Sequence, residues 1–318
     1  MPANPPQTLS PFRSWPQGGV LDRWVAPDGW SHRMFTLGDG SRGRMLMIAG
    51  RGDMIEKYLE AVLHFAAKGW AVTTFDWRGQ GGSGRLTEDA TVGHVQDFGQ
   101  WVADLGAFAD AWQAQGKGPH VMLGHSMGGF LLLRAMVEGV ARPDAAVLTA
   151  PMLGLNGGMI PPWLARLIVA VMLKVAGPTG AAWTQNEASP ARLRARQRRL
   201  THSLERHEDE LWWRKAQPDI SLGAPSWGWL DQAYRATAAL EADARIETMA
   251  VPTLILSTDA DQLVCPKAIR RIAARLPDVA FHAYGTEAAH EILRESDPVR
   301  LDALARIDAF WDARVPAG

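Results

Sequence analysis

Short apolar runs alternate with helical patterns over the first half of the chain, and this alternation constrains the fold more than any other feature. The runs at 44–50, 70–75 and 120–124 are almost entirely apolar, as expected of strands buried on both faces of a sheet. Between the last two runs, apolar residues recur at helical spacing from 98 to 112. Strands that alternate with helices in this way form a mostly parallel sheet covered by helices on both faces. The sequence therefore predicts an α/β fold, preceded by an antiparallel hairpin at 21–37.

The alternation stops at Pro151 and resumes at Val251 with a further apolar strand. The residues between these points contain no convincing strand. We therefore predict one α/β core with a helical insertion between two of its strands. The predicted segments are the first part of the core at 20–150, a helical insertion at 151–240, which we call the cap segment, and the second part of the core at 241–318.

The composition excludes several classes of protein. Thirty-three basic and thirty-four acidic residues leave a net charge of −1, which gives no general attraction for nucleic acid. Five arginines at 192–199 are expected to form a solvated helix face. No apolar run is long enough to span a membrane, and the first residues lack the apolar stretch of a secretory signal. A single cysteine, Cys265, excludes an intrachain disulfide and fits a reducing, cytoplasmic location.

The run Gly124-His125-Ser126-Met127-Gly128 lies where a predicted strand ends and a predicted helix begins. It fits the G-x-S-x-G pattern, in which a serine on a sharp turn projects its hydroxyl from the sheet and only very small residues fit two positions away. The helix N-terminus adds unpaired N–H groups beside a developing oxyanion. In this context the motif predicts a nucleophilic Ser126. The alternative is a glycine-rich helix start that serves only packing.

A nucleophilic serine needs a histidine base and an acid that orients the base, and in folds of this kind the acid and the histidine follow the serine in that order. The strand at 251–258 leads into Asp259 and Asp261. Asp261 is the preferred acid and Asp259 its competitor. Only His282 and His290 come after them. His282 falls inside a predicted strand, whereas His290 follows that strand at the edge where such sheets bind ligands, so His290 is the predicted base.

The loop after the first buried strand reads Ala49-Gly50-Arg51-Gly52-Asp53. Glycines permit the close backbone approach that an oxyanion contact requires. The backbone N–H groups of Arg51 and Met127 are therefore the predicted oxyanion donors. A strand-to-helix turn with Asp53 as the helix N-cap is compatible with the same residues.

The sequence carries no cofactor or metal signature that we recognise. The glycine-rich run at 79–84 matches G-x-G-x-x-G only from the middle of a loop, with no helix opening on it. His207 is not followed by a second histidine at metal-binding spacing. A haloalkane dehalogenase or epoxide hydrolase would have an aspartate where this chain has Ser126. We therefore expect an enzyme that needs neither cofactor nor metal.

Several longer motifs resemble those of one α/β-hydrolase family, the lysophospholipase/monoacylglycerol lipase group of the serine aminopeptidase S33 (Hydrolase-4) type. GHSMGG at 124–129 resembles the family's nucleophile turn, and DWRGQGGSG at 76–84 resembles its mainly structural D-x-R-G-x-G-x-S loop. HEIL at 290–293 resembles its segment around the base. DQLV, which begins at Asp261, resembles the D-x-x-V after the acid strand, which favours Asp261 over Asp259.

The resemblance extends from Met45 to Trp311 and implies an α/β-hydrolase fold with an eight-stranded, mostly parallel sheet and a helical cap. It implies a serine hydrolase of carboxylic esters, with lysophospholipid or monoacylglycerol as substrate. An amidase or peptidase on the same triad, and a non-catalytic binding protein on this fold, are the alternatives. The family often begins its oxyanion loop H-G-x-G-E, where this chain has Ala49. The glycine-rich loops resemble the bacterial lysophospholipase L2 branch.

The cap segment begins with a helix at 161–175 that is apolar nearly all round. Such a helix is either buried or faces lipid or a substrate tunnel, and we expect burial. An apolar lining with a few polar tips suits a lipid-binding cleft. The sequence leaves open a peripheral contact between the cap segment and a membrane, and it does not predict the oligomeric state. Six of the fourteen tryptophans fall in the cap segment: Trp163, Trp183, Trp212, Trp213, Trp227 and Trp229.

Overall fold

An eight-stranded sheet forms the centre of the molecule in the computed structural model, which describes residues 11–158, 160–183 and 190–316. Three of its strands, at Trp70–Phe75, Ala145–Thr149 and Thr253–Thr258, consist mainly of apolar and β-branched residues and are buried along their whole length. The strands are β1 (Val20–Val25), β2 (Ser31–Leu37), β3 (Gly43–Ile48), β4 (Trp70–Phe75), β5 (His120–His125), β6 (Ala145–Thr149), β7 (Thr253–Thr258) and β8 (Val279–Tyr284).

The first two strands form the predicted antiparallel hairpin, in which Val20 pairs with Thr36 and Val25 with Ser31. Strand β2 also runs antiparallel to β4, whereas every other neighbouring pair is parallel. The order across the sheet is β1-β2-β4-β3-β5-β6-β7-β8. The prediction of an eight-stranded, mostly parallel sheet is confirmed.

Helices cover both faces of the sheet, and the side chains of its central strands alternate between two hydrophobic clusters. Leu46 of β3 joins one cluster, whereas Met45 and Met47 join the other. The α-helices of the described residues are α1 (Leu59–Ala67), α2 (Phe98–Gln113), α3 (Met127–Val137), α4 (Pro162–Val175), α5 (Pro190–Leu200), α6 (Leu204–Ala216), α7 (Trp227–Ala242), α8 (Pro266–Ala273) and α9 (Asp297–Arg314). Helices α2, α3 and α8 contribute to the first cluster, and α1 and α9 to the second.

Helices α4 to α7 lie between β6 and β7, and the described part of this insertion contains no strand. The division of the chain into two core parts at 20–150 and 241–318 and a cap segment at 151–240 stays a prediction. The expected burial of α4 is wrong, because Val169 is its only buried residue. Trp163 is 68% exposed and Val175 is 74% exposed. The helix packs against α7 and leaves the rest of its apolar surface uncovered by described residues.

The carboxyl ends of four parallel strands meet at one edge of the sheet, and the predicted site residues follow them. Arg51 follows β3, Ser126 follows β5, Asp261 follows β7 and His290 follows β8. This is the edge at which open α/β sheets bind ligands. The strand order therefore brings together residues that are far apart in the sequence.

Candidate active site

Ser126 occupies a sharp turn between β5 and α3. Its φ of 53° and ψ of −118° lie outside the ordinary regions for a residue with a side chain. Its N–H donates to the carbonyl oxygen of Thr149 (3.0 Å), and its own carbonyl oxygen accepts from the N–H of Met152 (2.9 Å). These bonds, to the last residue of β6 and to the loop after it, hold the turn in its strained conformation.

The two glycines of the motif are required by close backbone approaches. A Cβ atom at Gly128 would lie 2.4 Å from the carbonyl oxygen of Ala49, and one at Gly124 would lie 2.8 Å from the carbonyl oxygen of Gly128. Both distances are shorter than any allowed contact. The glycines are therefore required for packing, and the same turn places the hydroxyl of Ser126 within hydrogen-bonding distance of His290.

His290 hydrogen-bonds to both other members of the predicted triad. The Oγ of Ser126 lies 2.9 Å from Nε2 of His290, and Nδ1 of His290 lies 2.8 Å from Oδ2 of Asp261. With Nδ1 protonated, the ring donates to the carboxylate and accepts from the serine hydroxyl. The structure thus brings Ser126, His290 and Asp261 into the order that a serine nucleophile requires.

The neighbouring backbone holds the Asp261 carboxylate in place. Its Oδ1 accepts from the N–H groups of Leu263 (2.8 Å) and Val264 (2.9 Å), which leaves Oδ2 for His290. Asp259, the competing candidate, is exposed and pairs with Arg270 at the surface. It makes no contact with the histidine.

Burial and charge act in opposite directions on the acid and the base. Burial lowers the pKa of His290, but the charge of Asp261 and the hydrogen bond to it outweigh burial and raise the pKa above 6.5. Burial raises the pKa of Asp261, but the charge of His290 and the hydrogen bond from it outweigh burial and lower the pKa. The pair therefore favours an ionised carboxylate beside a histidine that accepts a proton readily.

A second histidine lies next to the base. The ring of His125 is 4.9 Å from that of His290 between centroids, and its Nδ1 lies within hydrogen-bonding distance of the Thr149 carbonyl oxygen. Burial, followed by the charge of His290, lowers the pKa of His125 to about 4. His125 is therefore neutral at neutral pH. It adds no positive charge that would oppose the protonation of His290, which the charge of Asp261 favours.

The loop after β3 packs beside Ser126, because a Cβ atom at Gly50 would lie 3.1 Å from that of Ser126, and Ser126 and Arg51 line the same cavity. On either side of it, the N–H of Gly50 donates to Oδ2 of Asp53 (2.9 Å) and the N–H of Gly52 donates to Oε1 of Gln80 (2.6 Å). Among the hydrogen bonds of the described residues, none is donated by the N–H of Arg51 or of Met127. Neither N–H group is therefore engaged by another described residue, and their role as oxyanion donors stays a prediction.

Asp53 does not cap a helix, so that expectation is wrong. The short 3₁₀ helix at Ile55–Tyr58 has Met54 at its N-cap position with no side-chain cap. The carboxylate of Asp53 instead accepts from Gly50, from the Nζ of Lys57 (2.5 Å) and from the hydroxyl of Tyr58 (2.7 Å). Burial alone would raise the pKa of Asp53, but nearby positive charge, mainly that of Lys57, and the hydrogen bonds from Lys57 and Tyr58 together outweigh it, and the pKa falls to about 2.

Asp53 belongs to a buried ionic network beneath the site that the sequence analysis missed. Lys57 also pairs with Oε1 of Glu291 (2.6 Å), the residue after His290. Arg294 pairs with Glu291 (2.7 Å) and with Glu210 of α6 (3.1 Å). The only sequence signal was the presence of charged residues in otherwise apolar segments, and that signal does not identify partners.

A cavity of about 740 Å³ opens over Ser126, His290 and the Arg51 loop. One part of its wall is apolar and includes Leu155, Trp229 and Leu230. The expectation that the arginines at 192–199 form only a solvated face is wrong in part, because two of them line the cavity. The arginine side chains on the cavity wall are Arg51, Arg196, Arg199 and Arg214.

The glycine-rich loop at 76–84 supports the sheet and contributes no charged side chain to the cavity wall. Asp76 is buried and pairs with Arg33, which also binds Glu56. Arg78 pairs with Asp104 (2.7 Å). Across the described residues, no group of three or more histidine, cysteine or acidic side chains is placed to hold a metal ion.

The sheet, the strained serine turn and the Ser126–His290–Asp261 hydrogen bonds define the class of protein as an α/β-hydrolase. A model of the family described as serine aminopeptidase, S33 matches residues 39–297. The chain belongs to this family, and the resemblance found in its motifs is confirmed.

Two curated relatives match most of the chain. Lysophospholipase L2 of Escherichia coli strain K12 is 31% identical over 288 residues, which cover 86% of this chain and 82% of the relative. The probable lysophospholipase L2 of Haemophilus influenzae is 25% identical over 274 residues, which cover 86% of this chain and 85% of the relative.

A solved structure shows the same fold. A soluble variant of monoglyceride lipase from Saccharomyces cerevisiae, in complex with a substrate analogue, superposes with a TM-score of 0.73 at 19% identity. The superposition covers 93% of this chain and 96% of the yeast chain. It confirms the predicted α/β-hydrolase fold.

Proposed function

We propose that this protein hydrolyses carboxylic esters through an acyl-enzyme formed on Ser126. The observation that carries the proposal is the unbroken chain of hydrogen bonds from Ser126 through His290 to Asp261 on the wall of a cavity. The curated relatives are lysophospholipases. A non-catalytic binding protein would need neither the strained serine turn nor an ionised carboxylate behind the histidine.

In the first half-reaction, Oγ of Ser126 attacks the ester carbonyl carbon and gives its proton to Nε2 of His290. The carbonyl electron pair moves to oxygen, and the resulting oxyanion accepts hydrogen bonds from the N–H groups of Arg51 and Met127. When the tetrahedral intermediate collapses, the C–O bond to the alcohol breaks. His290 donates its proton to the alcohol, which leaves, and the acyl group remains on Ser126.

In the second half-reaction, a water molecule attacks the acyl-enzyme and gives a proton to His290. Collapse of this intermediate breaks the bond to Oγ of Ser126, which recovers the proton from His290 and releases a carboxylic acid. Asp261 stays ionised throughout and stabilises the imidazolium that forms in each half-reaction.

The cavity supports an amphiphilic substrate with one acyl chain. Its volume lies in the range of sites that enclose ligands of that size. An apolar wall suits an acyl chain, and the polar groups beside Ser126 suit a glycerol-based head. We therefore propose a lysophospholipid or a monoacylglycerol as the substrate class.

Substitution of the nucleophile tests the proposal. Ser126→Ala should lower turnover of an ester substrate by about 10⁴–10⁶ and abolish covalent labelling by a fluorophosphonate. Ser14→Ala, at an exposed serine near the start of the described chain, should change neither. If Ser126→Ala keeps activity within tenfold of the wild type, the serine assignment is wrong. Hydrolysis of matched amides but not esters would favour the amidase alternative.

We also propose that the cap segment contacts a lipid surface from one side. Trp163, Leu167, Val171 and Val175 recur every four residues along α4, so they form one stripe, and all four are exposed. No helix within the described ranges is long and apolar enough to cross a bilayer. An exposed apolar stripe on an interfacial helix binds membranes by burying that stripe among the lipids. A cytoplasmic location stays a prediction that rests on the single cysteine.

Co-sedimentation with phosphatidylglycerol/phosphatidylcholine vesicles measures this contact. The double variant Leu167→Ser/Val171→Ser should bind about tenfold or more weakly, because each side chain loses the free energy of burial in lipid. Leu301→Ser on α9 is the matched control, since Leu301 is equally exposed but lies on the core. Equal losses in both variants would show that α4 has no special role.

A further inference from the structure

Four arginines from three separate segments converge on the cavity that contains Ser126. Arg51 comes from the loop after β3, Arg196 and Arg199 from α5, and Arg214 from α6. Arg214 donates to the carbonyl oxygen of Gly52 (3.1 Å), so this cation from the cap segment touches the loop that holds the Arg51 N–H. The basic wall and the reacting serine therefore belong to one cavity.

The acidic residues of the described cavity wall do not balance these arginines. The two acidic side chains on the wall, Asp53 and Glu291, both pair with Lys57. Behind the wall, the carboxylate of Glu210 is shared by several cations. It binds Arg214 (2.9 Å) and Arg294 (3.1 Å), and Arg196 lies 3.9 Å away. The described residues of the cavity wall thus carry an excess of positive charge.

Arg51 carries its charge in an unfavourable setting. Its guanidinium lies over the ring of Trp229, and Nη2 donates to the carbonyl oxygen of Gly223 (2.5 Å). Its buried Nε has no hydrogen-bond partner among the described residues. Burial, followed by the charges of Arg196 and Arg214, lowers its pKa to about 9. A ligand anion would supply the missing acceptor and relieve the repulsion.

We propose that these arginines bind the phosphate of a lysophospholipid headgroup, so that the enzyme prefers lysophospholipids to monoacylglycerols with the same acyl chain. This inference rests on the proposed function and narrows its substrate class. A guanidinium presents paired N–H donors that match phosphate oxygens, and such charge-assisted bonds are stronger than neutral ones. A monoacylglycerol has a neutral hydroxyl group at this position, which can accept a hydrogen bond but offers neither a negative charge nor a second oxygen for the paired donors.

The placement of Arg51 links headgroup binding to the reaction. Its backbone N–H is a proposed oxyanion donor, whereas its side chain lies on the basic wall. In a lysophospholipid, only the glycerol carbons separate the ester from the phosphate. One residue can therefore contact both ends of the glycerol unit, with the ester at Ser126, the phosphate at the arginines and the acyl chain along the apolar wall.

The test compares kcat/KM for a lysophospholipid and a monoacylglycerol with the same acyl chain, both below their critical micelle concentrations. Wild type should favour the lysophospholipid. In the variant Arg196→Gln/Arg199→Gln the ratio of the two kcat/KM values should fall about tenfold or more, mainly through the KM for the lysophospholipid. Arg198→Gln is the matched control, because Arg198 lies on the same helix, is exposed and does not line the cavity. Circular dichroism establishes that both proteins fold.

A binding measurement separates this inference from the proposed function. The Ser126→Ala protein should bind the lysophospholipid more tightly than the monoacylglycerol, as read from tryptophan fluorescence, and adding Arg196→Gln/Arg199→Gln should remove the difference.

Three outcomes would contradict one proposal or the other. If both lipids are hydrolysed and the double variant leaves the ratio of their kcat/KM values unchanged, the headgroup assignment is wrong but the esterase assignment stands. Preferential binding without hydrolysis of either lipid would overturn the esterase alone. If inorganic phosphate inhibits ester hydrolysis as strongly as lysophospholipid does, the arginines bind a free anion and the headgroup proposal is wrong.

Discussion

Two aspartates that stand two positions apart have opposite surroundings in this protein, and backbone geometry makes the difference. Asp261 is held by two N–H groups of its own turn and faces His290, whereas Asp259 points outward to Arg270. Their place after a strand does not distinguish the two carboxylates, and in the sequence only the D-x-x-V resemblance favours Asp261. The direction of each side chain, which the turn after β7 determines, gives the physical reason that one is the acid and the other a surface ion pair.

Asparagine substitutions at these two positions should therefore have unequal effects. Asp261→Asn should lower kcat by about 10⁴, because the amide favours the wrong tautomer of His290. Asp259→Asn is the matched control and should change kcat little, since its partner is an exposed arginine. Steady-state kinetics with a p-nitrophenyl ester would measure both. The reverse ranking would place the acid at Asp259.

The pH profile gives the same prediction a second readout. His290 must be neutral to accept a proton, so kcat/KM should rise as the pH increases through its pKa, which Asp261 raises above 6.5. In Asp261→Asn, burial continues to lower the pKa of His290 while its largest opposing cause is lost. The acid limb of the remaining activity should move to lower pH. A limb that stays in place would show that Asp261 does not act on His290 through its charge.

At the scale of elements, the C-terminal end of α5 holds the loop that carries the base. The carbonyl oxygen of Leu200 accepts from the N–H of Glu291 (2.7 Å), and that of Arg199 accepts from the N–H of His290 (3.4 Å). The negative end of a helix dipole stabilises a nearby cation, so this contact favours the imidazolium form of His290. The insertion therefore acts on the chemistry of the site as well as on its shape.

The apolar wall of the cavity predicts a dependence on acyl-chain length. Along p-nitrophenyl esters from acetate to palmitate, kcat/KM should rise several-fold per carbon until the cavity is full, at about 0.8 kcal/mol per buried methylene. Leu230→Trp should move the optimum to shorter chains, because Leu230 lines the cavity. Leu301→Trp on the exposed side of α9 should leave it in place. A steady decline from acetate would contradict the acyl-chain cavity.

Across the whole molecule, the sequence predicts the features that are determined by residues close together in the chain. The strands, the serine turn and the loops that carry Arg51, Asp261 and His290 each have a signal within a few residues of themselves. Burial of α4 was predicted wrongly, since an apolar helix shows the same pattern whether protein or lipid covers it. The basic cavity wall and the ionic network were missed because their members meet only after folding. Lys57 and Glu291, for example, are 234 positions apart.

The ionic network joins three parts of the chain that local patterns treat as independent. Asp53 and Lys57 belong to the first part of the core, Glu210 to α6, and Glu291 and Arg294 to the second part. All five side chains are buried. Removing one member of a buried ion pair leaves a charge without its partner, which costs more than the pair itself contributes. The network should therefore respond as a unit to the loss of its central cation.

Lys57→Met should lower the free energy of unfolding by about 3–5 kcal/mol at pH 7, because Asp53 keeps its burial but loses its ammonium partner. Lys68→Met is the matched control. Lys68 is half exposed beside Asp308, and its loss should cost about 1 kcal/mol or less.

The same substitution should change how stability depends on pH. In wild type, the pKa of Asp53 is about 2, so the stability that Asp53 contributes is present above its unfolded pKa of about 4 and is lost as the pH falls toward 2. In Lys57→Met, burial without the ammonium partner raises the pKa of Asp53. Acidification therefore protonates Asp53 and removes part of the free-energy cost of burying its unpaired charge. Urea unfolding should show that the difference in the free energy of unfolding between wild type and variant is smaller at pH 5 than at pH 7. A difference that stays constant or widens toward acid would mean that Asp53 does not depend on Lys57.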